Sequence, residues 1–365
     1  MRLLIYVALM SLATHALANN IIEGNQGSKI KGSVVERFQN PWAMSFISSD
    51  QLLVTTKSGD LWLVNTNGEK SLVASVPKVF YGGQGGLGDV VPHTNFKQNK
   101  FIYISYISSD TAGDTRYATV VRAELNIKNS PKLENITTVW KQTPARSGKG
   151  HFSHKITLGQ QGSKHEGKIF ITSGDRQEQA PAQHWDKALG KIIRLNDDGS
   201  VPADNPFQDK GELAKTFWSI GHRNSLGIAF NQNGELWAHE MGPKHGDELN
   251  LILPGANYGW PIVSEGNHYS GAVIPTHDTR PEFQKPKLFW VPTVAPSGLF
   301  FYQGDEFPDW NGDAFLGGLK GRALVRIEFK NDLPVEAERF SWSQRVRDVE
   351  LGSDGAIWAL EDGRS

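Results

Sequence analysis

Apolar and polar residues alternate with a period of two along most of the chain, and the alternating runs come in pairs. One pair is AMSFISSDQLLVTTKSGDLWLV from Ala43, and another is GDVVPHTNFKQNKFIYISYI from Gly88. Successive strand residues point to opposite faces, so paired runs of this period, broken by Gly, Asn or Asp, predict β-hairpins. The same unit returns at Lys155, Leu226, Ser297 and Arg347. The steps between the six starts are 45, 67, 71, 71 and 50 residues. Spacing of that size fits propeller blades with loop insertions better than the shorter, even spacing of a sandwich. The expectation is an all-β fold, a six-bladed β-propeller of four-stranded antiparallel blades. Helical periodicity is nearly absent, with room for a turn or two near His184 to Leu189. No linker or low-complexity tract divides the sequence, so residues 19–365 are expected to form one domain.

The two ends of the chain add separate expectations. Arg2 precedes an apolar run from Leu3 to Ala13, and Ala16-Leu17-Ala18 closes the stretch. This is the layout of a secretory signal peptide cleaved after Ala18, with an apolar centre too short to span a bilayer. A periplasmic or secreted protein without a membrane span is expected. At the other end the chain stops in a turn at Asp362-Gly363. A propeller closes by pairing strands from its two termini. Closure is therefore expected from the segment near Ile30 to Phe38, or else the last strand is missing.

Composition removes several classes of function. The chain carries 38 Lys+Arg against 39 Asp+Glu, a formal charge of -1, so it has no broad positive field for nucleic acid or anionic lipid. It contains no Cys, which excludes disulfides, thiolate metal sites and a Cys nucleophile. No local motif forces dimerisation, and a monomer or weak dimer is expected.

Chemistry on a propeller sits in the loops at one end of the ring, and five polar insertions are candidates. YGGQGGLGDV places Gln84, a donor and acceptor, in a Gly-rich turn that no helix follows, so it is not a phosphate loop. GKGHFSHKITL offers His151 and His154 as general bases or weak metal ligands. SIGHRNSLGIAF holds His222, Arg223 and Asn224, the Arg being suited to a carboxylate or a developing oxyanion. The segment from His239 to Pro261 combines Gly242-Pro243, Asp247, Glu248 and Tyr258, oxygen donors of the kind calcium takes, without EF-hand spacing. Lys320, Arg345 and Arg347 form a cationic set, the two Arg sharing a strand face. Each also has an ordinary reading, as a tight turn, a buried imidazole or a solvated strand face.

Taken in order, GQGGL, GHF, LGKIIRLNDDGSVPADNPF, GHRN, EMGP with GDELN, NYGWP, PTVAPSG, LK and RVRD resemble the glucose/sorbosone dehydrogenase family. Within it the likeness is to the shorter soluble aldose sugar dehydrogenases, and it runs from Asn40 to Leu360. The resemblance implies pyrroloquinoline quinone (PQQ) and calcium as cofactors and an aldose sugar as substrate, oxidised at its anomeric carbon to a lactone, with electrons passing to an external acceptor. It implies His151 as general base and Arg223 beside the reactive carbonyl. Gln84, Arg223, Asn224, Tyr269, Lys320, Arg345 and Arg347 match cofactor-binding positions. Gly242 and Pro243 match carbonyl ligands of the cofactor's calcium, and Glu248 and Tyr258 a second calcium site, with Asp247 a weaker candidate. Ser153-His154-Lys155 departs from the Gly-rich step and Arg common after that His. A non-enzymatic ligand-binding propeller and a calcium-dependent propeller lactonase are the alternatives.

Overall fold

The computed structural model describes residues 20–363, and the expected signal peptide lies outside the described residues. A hairpin of β1 (Asn20–Glu23) and β2 (Lys29–Gly32) comes first. Five antiparallel four-stranded sheets follow in chain order. They are β3 (Pro41–Phe46), β4 (Gln51–Thr56), β5 (Leu61–Asn65) and β6 (Lys70–Leu72); then β7 (Leu87–Pro92), β8 (Phe101–Ser109), β9 (Arg116–Asn126) and β10 (Lys132–Lys141). The third is β11 (Ser153–Leu158), β12 (Lys168–Ser173), β13 (Lys191–Asn196) and β14 (Phe217–Ile220). The fourth is β15 (Ser225–Phe230), β16 (Leu236–Glu240), β17 (Asp247–Leu251) and β18 (Leu288–Trp290). The fifth is β19 (Pro296–Phe301), β20 (Ala314–Gly318), β21 (Ala323–Lys330) and β22 (Leu333–Ser341). A two-stranded sheet of β23 (Arg345–Leu351) and β24 (Ile357–Asp362) ends the series.

The fold is a β-propeller of four-stranded antiparallel blades, and the expected six blades are corrected to five among the described residues. The last repeat differs from the others. Each repeat start, from Ala43 to Arg347, falls in the first strand of a sheet, but a repeat of one hairpin does not guarantee the two outer strands. Among the described residues the sixth position of the ring holds β23 and β24, which lie between β19 and β3. Val346 and Val349 of β23 pack on Phe300, Phe315 and Leu324, and Leu360 of β24 packs on Met44, Leu52 and Val54. Among the described residues this hairpin is held between its neighbours by that packing and by hydrogen bonds, Met44 N–H to Asp348 and Ser297 Oγ to the Val346 carbonyl. The N-terminal segment does not pair with it: β1 and β2 form their own sheet, which bridges to Phe340 through Gly24 and rests Ile22 and Ile30 on the fifth sheet.

Each sheet is covered on both faces by its neighbours, which explains strands such as Phe101–Ser109 that are apolar at adjacent as well as alternate positions. The helical turn expected near His184 lies at Ala180–Gln183 instead, before the segment that reads as helical. Two imidazoles are buried between sheets. His154 stacks on Trp42 with centroids 4.9 Å apart and meets Ser105 Oγ at 2.7 Å, and His239 Nε2 donates to the Gly298 carbonyl at 2.7 Å. Burial pushes His154 down to about 3 and His239 down to about 4. An unfolded imidazole takes its proton near pH 6.5, so between there and about pH 4 the unfolded chain binds more protons and stability rises with pH. The two imidazoles make stability fall from pH 6.5 towards 4.5, by up to about 1.4 kcal/mol per pH unit each, while Glu248 and Glu350, raised by burial, act in the opposite direction. The check is therefore the difference in thermal stability between wild type and the His154→Gln and His239→Gln variants, and a difference that stays constant over that range would contradict the assignment of both as neutral.

Candidate active site

In an antiparallel pair the start of one strand lies beside the end of the next. The first strand of each sheet faces the ring's centre, so its leading residues and those trailing the second strand share one rim. That rule assembles the site. Gln84 precedes β7, His151 precedes β11, Arg223 and Asn224 precede β15, and Arg345 opens β23. Lys57 follows β4, Asp175 follows β12, Met241 follows β16 and Lys320 follows β20.

Most of them line a cavity of about 650 Å³; His151, Asp175 and Arg223 lie outside its lining, and Arg223 lines a second, smaller cavity. Gln84, Asn224, Lys320, Arg345 and Arg347 all line the larger one, together with Trp42, His154 and Met241. Lys57 and Arg322 also reach it, two cations the sequence reading missed because each sits at the edge of a hairpin turn. The lining thus carries five cations against one carboxylate, Asp362. That carboxylate is shared by Arg345 Nε at 3.0 Å and Arg347 at 2.9 Å. Burial, and then the nearby Arg347, lowers the Lys57 ammonium below the ordinary lysine value. The surplus of positive charge suits a ligand with several carboxylates.

His151 sits at the cavity's edge between two lining residues, Gln84 and Phe152, and is 7% exposed. Its backbone has φ 46°, and its N–H donates to Gln84 Oε1 at 2.7 Å. The Gly-rich turn brings Gln84 in: a Cβ at Gly86 would collide with the Lys57 carbonyl oxygen. Buried Arg176 binds the carbonyls of Gly148, Gly150 and Arg116, which fixes the loop under the imidazole. His151 Nδ1 lies 2.7 Å from Asp175 Oδ1. A fully buried carboxylate accepts, so Nδ1 bears the hydrogen and Nε2 keeps its lone pair. Asp175 is the functional residue the sequence reading missed. A lone Asp after a strand reads as a turn, although Ser153 pairs with Ser173 and so faces the flanking residues of β11 and β12 towards each other.

Arg223 is equally constrained. Glu240, at the end of β16, takes the Arg223 backbone N–H and His222 Nδ1, the latter at 3.0 Å. The Arg223 guanidinium donates to the Met241 carbonyl at 2.9 Å and lies 5.3 Å over the Trp260 ring. Asn224 Oδ1 accepts from Ser153 Oγ at 3.1 Å, which ties the third sheet to the fourth. Tyr269 is not brought to this cavity: it is 74% exposed on the loop after β17.

Gly242, Pro243, Glu248 and Tyr258 line a second, small cavity beside Arg223. Gly242 lies so close to the carbonyls of His245 and Gly246 that a Cβ would collide with both. Burial, and then the charge of Glu240, holds the Glu248 carboxyl well above its ordinary value. Among the described residues no group of three His, Asp or Glu side chains is arranged to hold a metal. A cation here would draw on backbone carbonyls and single carboxylates, the oxygen donors that calcium accepts. Asp247 is otherwise engaged, because its carboxylate accepts from the N–H groups of Gly242, Val294 and Ala295 and from Thr293 Oγ1.

Known proteins are similar to this chain in sequence and fold. The aldose sugar dehydrogenase YliI of Escherichia coli is 34% identical over 340 residues, covering 90% of this chain and 89% of that protein. The quinoprotein glucose dehydrogenase B of Acinetobacter calcoaceticus is 30% identical, covering 91% of this chain and 85% of its own. The crystal structure of the soluble aldose sugar dehydrogenase of E. coli in its apo form superposes with a TM-score of 0.83 at 32% identity, over 94% of this chain and 96% of that one. The PQQ-bound form of the aldose sugar dehydrogenase from Streptomyces coelicolor gives 0.72 at 25% identity, over 89% of each. Residues 38–365 match the glucose/sorbosone dehydrogenase family, and the chain belongs to it.

Proposed function

We propose that this protein oxidises aldose sugars at the anomeric carbon to lactones, with PQQ and calcium as cofactors and an external electron acceptor. The observation that carries this reading is the buried His151–Asp175 pair at the edge of a cavity lined by five cations and one carboxylate. A tricarboxylate fits that lining: Lys320, Arg345, Arg347 and Lys57 would hold its carboxylates, and Gln84 and Asn224 its polar edge. Gly242 and Pro243 would offer carbonyls to the calcium. When bound, PQQ supplies the carbonyl that accepts hydride, and calcium polarises it.

The chain's own part follows from the geometry. His151 Nε2 takes the proton of the anomeric hydroxyl, while Asp175 holds the ring and offsets the charge it gains. The Arg223 guanidinium, fixed by Met241 and Trp260, stabilises negative charge that develops on oxygen. A lactonase would instead need a carboxylate-rich centre, and this cavity has a single carboxylate already paired with two Arg residues. In the cell, residues 1–18 would direct the chain out of the cytoplasm.

The test is dye reduction by purified protein given PQQ, calcium and a panel of aldoses. Sugar-dependent reduction that needs both additions supports the reading, and folded protein that binds no PQQ refutes it. Lys320→Ala is expected to weaken PQQ binding by about tenfold, the loss of one charge-assisted contact at about 1.5 kcal/mol. Equal affinity in a PQQ titration would remove Lys320 from the cofactor site.

A further inference from the structure

Trp260 of the NYGWP segment touches both halves of this machinery. It is 5% exposed, packed with Ala182 and Ile274. Its indole Nε1–H donates to Asp175 Oδ2 at 2.8 Å. The other carboxylate oxygen, Oδ1, accepts from His151 Nδ1 at 2.7 Å and from the Gln177 backbone N–H at 2.8 Å. The ring face meanwhile lies 5.3 Å from the Arg223 guanidinium, whose Nε has no hydrogen-bond partner. The backbone of Trp260 is itself pinned, its N–H to the Gly221 carbonyl at 3.0 Å and its carbonyl to Gln183 Nε2 at 2.7 Å.

We infer that Trp260 is a positioning residue that sets the His151 base, through Asp175, and the Arg223 guanidinium in one frame. The inference rests on the proposed oxidation for its catalytic meaning. Asp175 is wholly buried, and an oxygen stripped of its donor there pays the full cost of desolvation. Without the indole N–H the carboxylate turns to find another donor, and the His151 N–H it holds moves with it. The ring face acts separately, as a cation–π floor that leaves the Arg223 fork directed by the Met241 carbonyl.

Trp260→Phe separates the two roles, because it keeps a ring face and removes the N–H. In cofactor-free protein labelled with 15N, the resonance of the His151 Nδ1 proton is expected to shift or broaden in W260F. In protein loaded with PQQ and calcium, kcat is expected to fall about tenfold with KM changed less than threefold, as for the loss of one hydrogen bond to a charged group. Ile274→Val, which loosens the same packing without touching the N–H, should leave both readouts at wild-type values. If W260F fails to fold, benzothienylalanine at position 260, with sulfur in place of N–H, carries the same test. An unmoved His151 resonance with kcat within twofold overturns the inference, and so does an I274V variant that reproduces W260F. If loaded wild-type protein oxidises no aldose, the proposed function fails, while the resonance comparison in cofactor-free protein still decides the role of Trp260.

Discussion

Replacing His151 with Ala is expected to lower kcat for aldose oxidation by about 10²–10⁴-fold, the usual contribution of a general base, with PQQ affinity nearly unchanged. The two effects separate because the side chain's one bonded partner is Asp175, while the cations lining the cavity come from other strands. Gln84 contacts the His151 backbone N–H, which Ala retains. Asp175→Asn should be severe as well. An amide that turns its NH₂ towards Nδ1 favours the tautomer with hydrogen on Nε2, where the lone pair is needed. Steady-state kinetics with saturating aldose, beside a PQQ titration of each variant, provide the check. Activity in His151→Ala within tenfold of wild type would move the base elsewhere. His154 is no replacement, since it is stacked on Trp42, bonded to Ser105 and held neutral by burial.

The contrast between His151 and Asp175 shows how far the sequence could be read. Alternation with turn residues located every inner strand, because period two and hairpin breaks are local properties. The rim loops were legible for the same reason: they are where alternation stops. The number of complete blades was not. Whether β23 and β24 gain two outer strands depends on chain that must pair at long range, and no local pattern near Arg347 carries that information. Asp175 and Trp260 stayed hidden for a related reason. Each is ordinary in its own segment, ITSGDR or NYGWP, and gains meaning only when the register brings Ser153 opposite Ser173 and a loop of the fourth sheet folds over both. Tyr269 shows the converse. The family resemblance assigns it to the cofactor, while in this structure its loop leaves it exposed and outside the cavity lining.

The departure at Lys155 has the largest expected consequence for stability. From β11 its ammonium reaches Asp89 of β7 at 2.9 Å and Asp348 of β23 at 3.2 Å. Asp89 also takes the Ile156 backbone N–H at 2.7 Å, and Asp348 takes that of Met44 in β3 at 3.0 Å. One buried cation therefore joins four of the six inner strands, including β23 of the sheet that is two-stranded among the described residues. Burial opposes the charge on Lys155, and Asp348 and Asp89 together outweigh that and hold its pKa above the ordinary lysine value. Burial likewise raises Asp89, and pushes nearby Glu350 up to about 8 with help from Asp348. Lys155→Met keeps the stem and strands two carboxylates in the core, so a loss of about 3–5 kcal/mol is expected in denaturant unfolding. The pH dependence distinguishes charge from packing. In the variant Asp89, already raised by burial, loses the Lys155 charge that lowers it and would titrate higher still when folded, so the folded state binds more protons and regains stability as pH falls. The gap between variant and wild type should thus narrow from pH 8 to pH 5. A gap that stays constant over that range would mean that Lys155 serves by filling space, and that the hairpin is held in the ring by its apolar contacts and hydrogen bonds alone.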